Sequence, residues 1–236
     1  MAGPLSIVIP VYNEGDNILA TLREIREKIK VPYRIYMVYD RDDDNTLKAI
    51  HGHPLEASAV ELVKNRYGRG ALNAIRTGLG AAGEGAVLVV MADLSDDLSN
   101  VGTMLEKVDQ GYDIVCGSRY MKGGRQIGGP WFKKTLSRLA GVSLYYLIGF
   151  PTHDVTNSFK LYTKKVLNDV QIESSGGFEL GMEIVVKAVA KGYKVTEVPC
   201  TWRDRSAGES RFRLFKWLPG YLRWYFLAIR NRFLPQ

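Results

Sequence analysis

Val87-Leu88-Val89-Val90-Met91-Ala92-Asp93-Leu94-Ser95-Asp96-Asp97 is an uncharged apolar run that leads directly into three carboxylates. The run before Met91 shows no polar alternation, so it predicts a strand covered on both faces, the central kind in a parallel sheet. Side chains just past the carboxyl end of such a strand open into the crevice where α/β proteins hold ligands. Asp96, Asp97 and Ser99 read as a polar turn capping the next helix, because Val101, Met104, Leu105 and Val108 follow at helical spacing. Asp93 reads differently. It stands at the strand end with Leu94 after it, where a solvated turn needs no carboxylate.

The same alternation extends outward on both sides. Leu5 to Val11 predicts a strand, then Asn13 to Asp16 a turn, then a helix with Ile18, Leu19, Leu22, Ile25 and Ile29 on one face. Arg34 to Tyr39 predicts a second strand ending in the acid-rich Asp40 to Asn45 loop, and Val60 to Val63 a third, followed by Gly68-Arg69-Gly70 and a helix. Beyond the Val101 to Val108 helix come a strand over Asp113 to Gly117, a Gly-rich basic segment read as a functional loop, and a helix over about Lys133 to Ile148. An amphipathic helix over Glu179 to Lys191 and a last strand over Lys194 to Val198 complete the pattern. Strand and helix alternate throughout, which predicts an α/β fold with a doubly wound, mostly parallel sheet.

With 236 residues the chain can bury a sizeable core, and 46% hydrophobic with 24% charged residues excludes general disorder. The net charge of +7 is local. Arg203 to Gln236 holds eight Arg/Lys against two Asp/Glu, a net +6, which predicts an anionic partner near that end. Cys116 and Cys200 close apolar runs without metal-ligand spacing and read as reduced core residues of a cytosolic protein. The first residues run into a strand without a signal-peptide pattern. The longest uncharged apolar stretch, Leu139 to Pro151, falls short of the ~18 to 20 residues a bilayer requires.

The carboxyl strand ends supply Glu14, Asp40, Asp44 and Asp93 to one rim. Converging carboxylates suit a divalent ion carrying a diphosphate, or the ribose and base of a nucleotide. Taken with their order along the chain, Pro10-Val11-Tyr12-Asn13-Glu14, Asp40 with Asp44-Asn45-Thr46, Gly68-Arg69-Gly70, Ala92-Asp93-Leu94, Gly117-Ser118-Arg119-Tyr120 and Asp154-Val155-Thr156-Asn157-Ser158-Phe159 resemble the family 2 glycosyltransferases. Within these the chain looks like the dolichyl-phosphate mannosyltransferase and polyprenyl-phosphate sugar synthase branch, from Ile7 to Arg211.

The resemblance implies a GT-A type fold that passes a hexose from GDP-mannose or a UDP-hexose, with inversion, to a polyprenyl or dolichyl phosphate. It places the nucleotide sugar at Pro10, Tyr12, Glu14, Asp40 and Asp93. Asp93 would also be the metal ligand, for Mg²⁺ or Mn²⁺. The acceptor phosphate would meet Arg119, Lys133, Ser137, Arg205 and Arg211, and the catalytic set would be Asp93, Arg119, Arg205 and Arg211. One departure stands out: Met91 and Ser95 occupy the positions where the family carries an acid and a Gln. A thioether is a soft ligand that a hard cation does not choose, so the metal site is weakened, with Asp97 or Asp40 as candidates to complete it.

A phosphate acceptor also follows from chemistry. Its second pKa near ~6 leaves it largely dianionic at neutral pH, so it needs cations to aim it and no general base. Arg119, Lys133, Lys134, Arg138, Arg203, Arg205 and Arg211 supply them. The segment 212–236 interleaves Trp217, Trp224, Phe226 and Phe233 with Arg223 and Arg230, a pattern of helices in the membrane interface, with Pro219-Gly220 expected to break or kink it. The expected organisation is a catalytic domain over 1–211 and this interfacial segment. The protein would sit in the cytoplasm on the cytoplasmic membrane face, with no nucleic-acid partner. Two alternatives are a soluble family 2 transferase using Glu179 or Glu183 as base on a hydroxyl, and a non-catalytic nucleotide-sugar-binding protein.

Overall fold

The computed structural model describes residues 4–204 and 214–233. In chain order it forms β1 (Leu5–Val11), α1 (Ile18–Lys28), β2 (Tyr33–Tyr39), α2 (Asn45–Gly52), β3 (Val60–Lys64), α3 (Ala71–Ala81) and β4 (Ala86–Val89). A 3-10 turn over Leu98–Asn100 then leads into α4 (Val101–Asp109), β5 (Ile114–Ser118), β6 (Arg125–Ile127) and α5 (Trp131–Ile148). The chain continues through β7 (Lys160–Thr163), α6 (Lys164–Asp169), α7 (Leu180–Ala190), β8 (Val195–Pro199), β9 (Thr201–Arg203) and α8 (Leu214–Phe233).

Seven strands form one sheet in the order β3-β2-β1-β4-β7-β5-β8. The apolar run that begins at Val87 falls in its central strand, β4, flanked by β1 in parallel and β7 in antiparallel register. All four residues of β4 are buried. Val87 and Val89 join one apolar layer with α3, α7 and α8, and Leu88 joins the other with α1 and α4. Each such side chain taken fully out of water stabilises the fold by roughly 1.5 to 3 kcal/mol. The doubly wound reading therefore holds, with one strand running against the rest.

Two elements differ from the sequence pattern. Val195–Pro199 is not the last strand, because β9 follows and pairs in parallel with β6. This small second sheet is stitched to the loop after β4: Arg203 N–H donates to Ser95 O at 2.9 Å and Asp97 N–H to Thr201 O at 3.2 Å. Helix α7 is buried on nearly every side rather than amphipathic, because α8 covers the face that solvent would otherwise wet. Pro219 also lies within α8 without breaking it. The lost hydrogen bond is offset by packing, with Gly220 against the Glu179 side chain and Trp224 only 1% exposed in the core.

Helix α5 is pressed onto the stretch before β7 at Gly141, where any Cβ would strike the His153 carbonyl. Only glycine permits that approach. It sets the register of α5 against residues 153–156, and so places Ser137 beside them.

Candidate functional site

The carboxyl ends of β1, β2 and β4 form the first half of the site. After β1, Tyr12 is exposed and Asn13 takes a left-handed φ of 57°. The turn is clamped from below by Asp44, which accepts from Asn13 N at 3.1 Å through both oxygens and from Thr46 N at 2.9 Å. Asp44 is thus a buried cap of α2 and spends its charge on backbone, while its neighbours Arg41 and Asp43 pair in solvent. Asp40 accepts from Asn65 Nδ2 at 2.7 Å and Gly70 N at 2.8 Å, which ties the end of β2 to the start of α3. Glu14 stands at the rim with Asn17 donating to it at 3.0 Å. Pro10 is buried within β1, so it shapes the strand and offers no polar group.

After β4, Asp93 is 7% exposed and accepts from Ser95 N at 3.1 Å, with Leu94 at φ 60°. The expectation for its neighbours divides. Asp97 caps the following turn by accepting from Ser99 N at 3.0 Å. Asp96 does not behave as a solvated turn residue: it is 6% exposed and accepts from Met91 N at 3.2 Å. Burial pushes its carboxyl up to about 7, and the Asp93 charge adds to that while the Met91 N–H opposes it. Two carboxylates therefore stand together here, one of them reluctant to ionise. A hard divalent ion takes one or two carboxylates with phosphate oxygens and waters, so Asp93 and Asp96 fit such an ion delivered with a diphosphate. Among the described residues no group of three or more potential ligands holds one unaided.

The second half lies after β5. Arg119 Nε donates to Asp154 at 2.6 Å, and its Nη2 donates to Asp154 at 2.9 Å, Ser137 at 2.9 Å and Thr156 at 3.1 Å. Ser137 also meets the Tyr120 hydroxyl at 2.9 Å, and Tyr120 donates to Gln126 at 2.9 Å. Burial opposes the charge on Arg119, but Asp154 overrides it and holds the guanidinium above its ordinary range. Burial likewise works against the Asp154 charge, and Arg119 reverses the balance so that its pKa is lowered. Lys133 and Lys134 lie on the first turn of α5, with Lys134 donating to Gln126 O at 3.1 Å. Arg205 and Arg211 lie outside the described residues. β4 and β5 both run antiparallel to β7, so their carboxyl ends, with Asp93 and Asp96 after one and Arg119 after the other, open on the same rim of the sheet.

Glu179 and Glu183, the candidate bases, are committed to structure. Glu183 is 0% exposed and accepts from Glu173 N at 2.6 Å, Ser174 N at 2.8 Å and Lys187 at 2.7 Å. Glu179 accepts from Gly176 N and Gly177 N at 2.8 and 2.7 Å. Sequence reasoning gave Asp154, Thr156, Tyr120 and Gln126 no role. The available signal was Asp154 itself, the acid at the head of the otherwise uncharged Asp154 to Phe159 motif.

These halves line the carboxyl rim of a doubly wound sheet. The sequence model of glycosyl transferase family 2 matches residues 6–171, and the chain belongs to that family. It is similar to the dolichol-phosphate mannosyltransferase of Pyrococcus furiosus, 29% identical over 90% of this chain and 64% of that protein. It is also similar to the polyprenol monophosphomannose synthase of Mycolicibacterium smegmatis, 28% identical over 87% of this chain and 79% of that one. The chain therefore spans less than two thirds of the Pyrococcus relative. Its fold is that of glucosyl-3-phosphoglycerate synthase from Mycobacterium tuberculosis, solved with Mn²⁺, UDP and glucosyl-3-phosphoglycerate. The TM-score is 0.68 at 15% identity, covering 98% of this chain and 80% of that one.

Proposed function

We propose that this protein transfers a hexose, with inversion, from a nucleotide sugar to a polyprenyl-type lipid phosphate at the cytoplasmic face of a membrane. The observation that carries the reading is the buried Arg119 with Ser137 beside it, on the same rim of the sheet as Asp93. Pro10, Tyr12, Glu14 and Asp40 frame the nucleoside side. Asp93 and Asp96 would hold Mg²⁺ or Mn²⁺, which supplies positive charge to the leaving diphosphate. Arg119, Lys133 and Ser137, with Arg205 and Arg211, neutralise and aim the acceptor phosphate. An already dianionic nucleophile needs orientation rather than proton removal, which accords with Glu179 and Glu183 being tied to backbone N–H groups. In this reading residues 1–211 are the catalytic domain and 212–236 the interfacial segment, whose helix α8 also shares the core.

The membrane contact has a physical basis in α5. Trp131, Phe132, Leu136, Leu139, Tyr146 and Leu147 are exposed along one side of it, and Trp131 is 77% exposed. Helix α8 adds Leu222, Phe226 and Phe233, and the Ser143–Tyr225 hydrogen bond at 2.9 Å joins the two. An apolar stripe of that size with Arg138, Arg223 and Arg230 around it suits an anionic lipid surface. Among the described residues no helix is long and apolar enough to cross a membrane.

Incubation of the protein with GDP- and UDP-sugars and a short polyprenyl phosphate, with products identified by mass, tests the proposal. A lipid-phosphate-linked hexose is expected. Transfer only to a sugar or protein hydroxyl would replace it with the soluble alternative, and nucleotide-sugar binding without any product would leave the non-catalytic one.

A further inference from the structure

Arg119 is the cation nearest the centre of the proposed acceptor seat, yet it is not free to choose its own direction. Asp154 is fully buried at the start of the turn before β7, with its N–H on Thr152 Oγ1 at 3.0 Å and Asn157 N–H on its Oδ1 at 3.2 Å. It also takes the backbone N–H of Arg119 at 3.1 Å. Together with the two guanidinium bonds, three donors of one residue converge on one carboxylate. A bidentate carboxylate fixes the plane of a guanidinium as well as its position. Nε and Nη2 are thereby spent on Asp154, Ser137 and Thr156, whereas no described residue bonds Nη1. The buried Lys160 holds the same turn from beneath by donating to Val155 O at 3.2 Å and to Asn157 O. The carboxylate thus sits in a turn that is itself fixed.

We propose that Asp154 is the positioning residue of the acceptor seat: it locks the Arg119 guanidinium so that the Nη1 edge and the Ser137 hydroxyl face the incoming phosphate. This rests on the lipid-phosphate reading above. An ion pair needed only for folding would have no reason to end on a serine and a threonine at the cleft. Ser137 is shared between Arg119, Thr156 and Tyr120, at 2.9, 2.6 and 2.9 Å, so its hydroxyl is held in place beside the guanidinium, where an arriving phosphate would meet both. Thr156 fixes Nη2 without carrying charge, which provides a gentler way to loosen the same lock.

The experiment measures binding of a short prenyl phosphate without donor, and KM for prenyl phosphate and for nucleotide sugar, in the intact chain. Wild type is compared with Asp154→Asn, Arg119→Lys, the double variant and Thr156→Val. Asp154→Asn should weaken prenyl-phosphate binding by about 10- to 100-fold, the worth of one misdirected charge-assisted hydrogen bond, with the nucleotide-sugar KM unchanged. It should add little in the Arg119→Lys background, because both changes break one interaction. Equal loss on the donor and acceptor sides, or full additivity, would reduce Asp154 to a folding residue. If Asp154→Asn does not fold, Thr156→Val decides: a selective loss of prenyl-phosphate affinity supports the lock, and unchanged affinity sinks it. Wild type that binds no prenyl phosphate overturns the acceptor reading itself, whereas binding that survives every Asp154 and Thr156 variant overturns only the lock.

Discussion

Burying the Arg119–Asp154 pair takes both charges out of water, and the pair tolerates this because each neutralises the other. Removing one partner strands the second. Arg119→Met should destabilise the fold by roughly 3 to 5 kcal/mol at neutral pH. The pH dependence has a definite sign. The folded pKa of Asp154 is lowered in the wild type, so its contribution is present above the ordinary carboxylate pKa and is lost as pH falls through the folded value. In Arg119→Met the isolated carboxyl instead titrates upward, so the stability gap between the two proteins should narrow on acidification. Urea unfolding at several pH values measures this, and a gap that widens in acid would show that the pair is not what carries the loss. At the other half of the cleft, Asp93→Ala should lower kcat by about 10² to 10³, the cost of removing one group that stabilises developing charge. The thermal midpoint should move far less than kcat, because the Asp93 carboxylate holds a backbone N–H only two residues away, at Ser95. Near-normal turnover would move the diphosphate role elsewhere. Cys116 and Cys200 are buried free thiols, and burial pushes Cys116 up to about 12. Neither should react with a thiol reagent at pH 8 until the protein unfolds, and stoichiometric labelling of the native protein would contradict that burial.

At the level of elements, the strands were legible because both faces of the sheet are covered, so the apolar runs at β1, β4 and β5 stand out without alternation. Asp93 was legible for the same reason, as an acid at the end of a strand with no solvent to justify it. The reversal of β7 was not, since Lys160 to Thr163 reads as mixed polar and apolar, and Lys160 is buried only because backbone carbonyls receive it. Asp96 escaped notice because an Asp-Asp pair before a helix has the same pattern whether one or both residues cap it. The surface of α5 was hidden in another way. Its polar and apolar residues give a weak helical stripe until α8 and the 153–156 turn take the inner side, leaving Trp131, Leu139 and Tyr146 facing out. Leu139→Asp with Tyr146→Asp should therefore sharply weaken flotation on anionic liposomes while leaving nucleotide-sugar binding intact. Both residues are exposed, so little folding energy is at stake. Undiminished flotation would shift the lipid contact to α8.

Across the whole molecule, α8 joins core packing to the proposed lipid contact, and this changes what its removal should do. The sequence alone reads 212–236 as separable from a finished core. Yet Trp224 is 1% exposed, donates from Nε1 to Ser174 Oγ at 3.0 Å, and is covered by Lys187 and Arg223 over its ring at 5.0 and 4.5 Å. Tyr221, one turn earlier, has its hydroxyl pKa raised by burial and by Glu179, and it senses Arg119 and Asp154 as well. The helix also meets α5, which carries Ser137, through the Ser143–Tyr225 hydrogen bond at 2.9 Å, while its outer residues Leu222, Phe226 and Phe233 face away from the core. Deleting 212–236 removes both at once, so it should give a destabilised protein and cannot be used to isolate the lipid contact. Trp224→Ala isolates the packing: it should cost about 3 to 5 kcal/mol. Phe226→Ser isolates the surface and should leave stability within about 0.5 kcal/mol. Salt then separates the two parts of lipid binding. The share from Arg230 and Arg232, at about 1 kcal/mol per basic group near an anionic surface, should fade as the Debye length shrinks from about 10 Å at 0.1 M to about 3 Å at 1 M. The apolar share from α5 and Phe226 should persist. Flotation of the Phe226→Ser protein at both salt concentrations decides the matter: release only at high salt assigns the residual binding to the basic groups, and release at neither places the lipid contact entirely on α5.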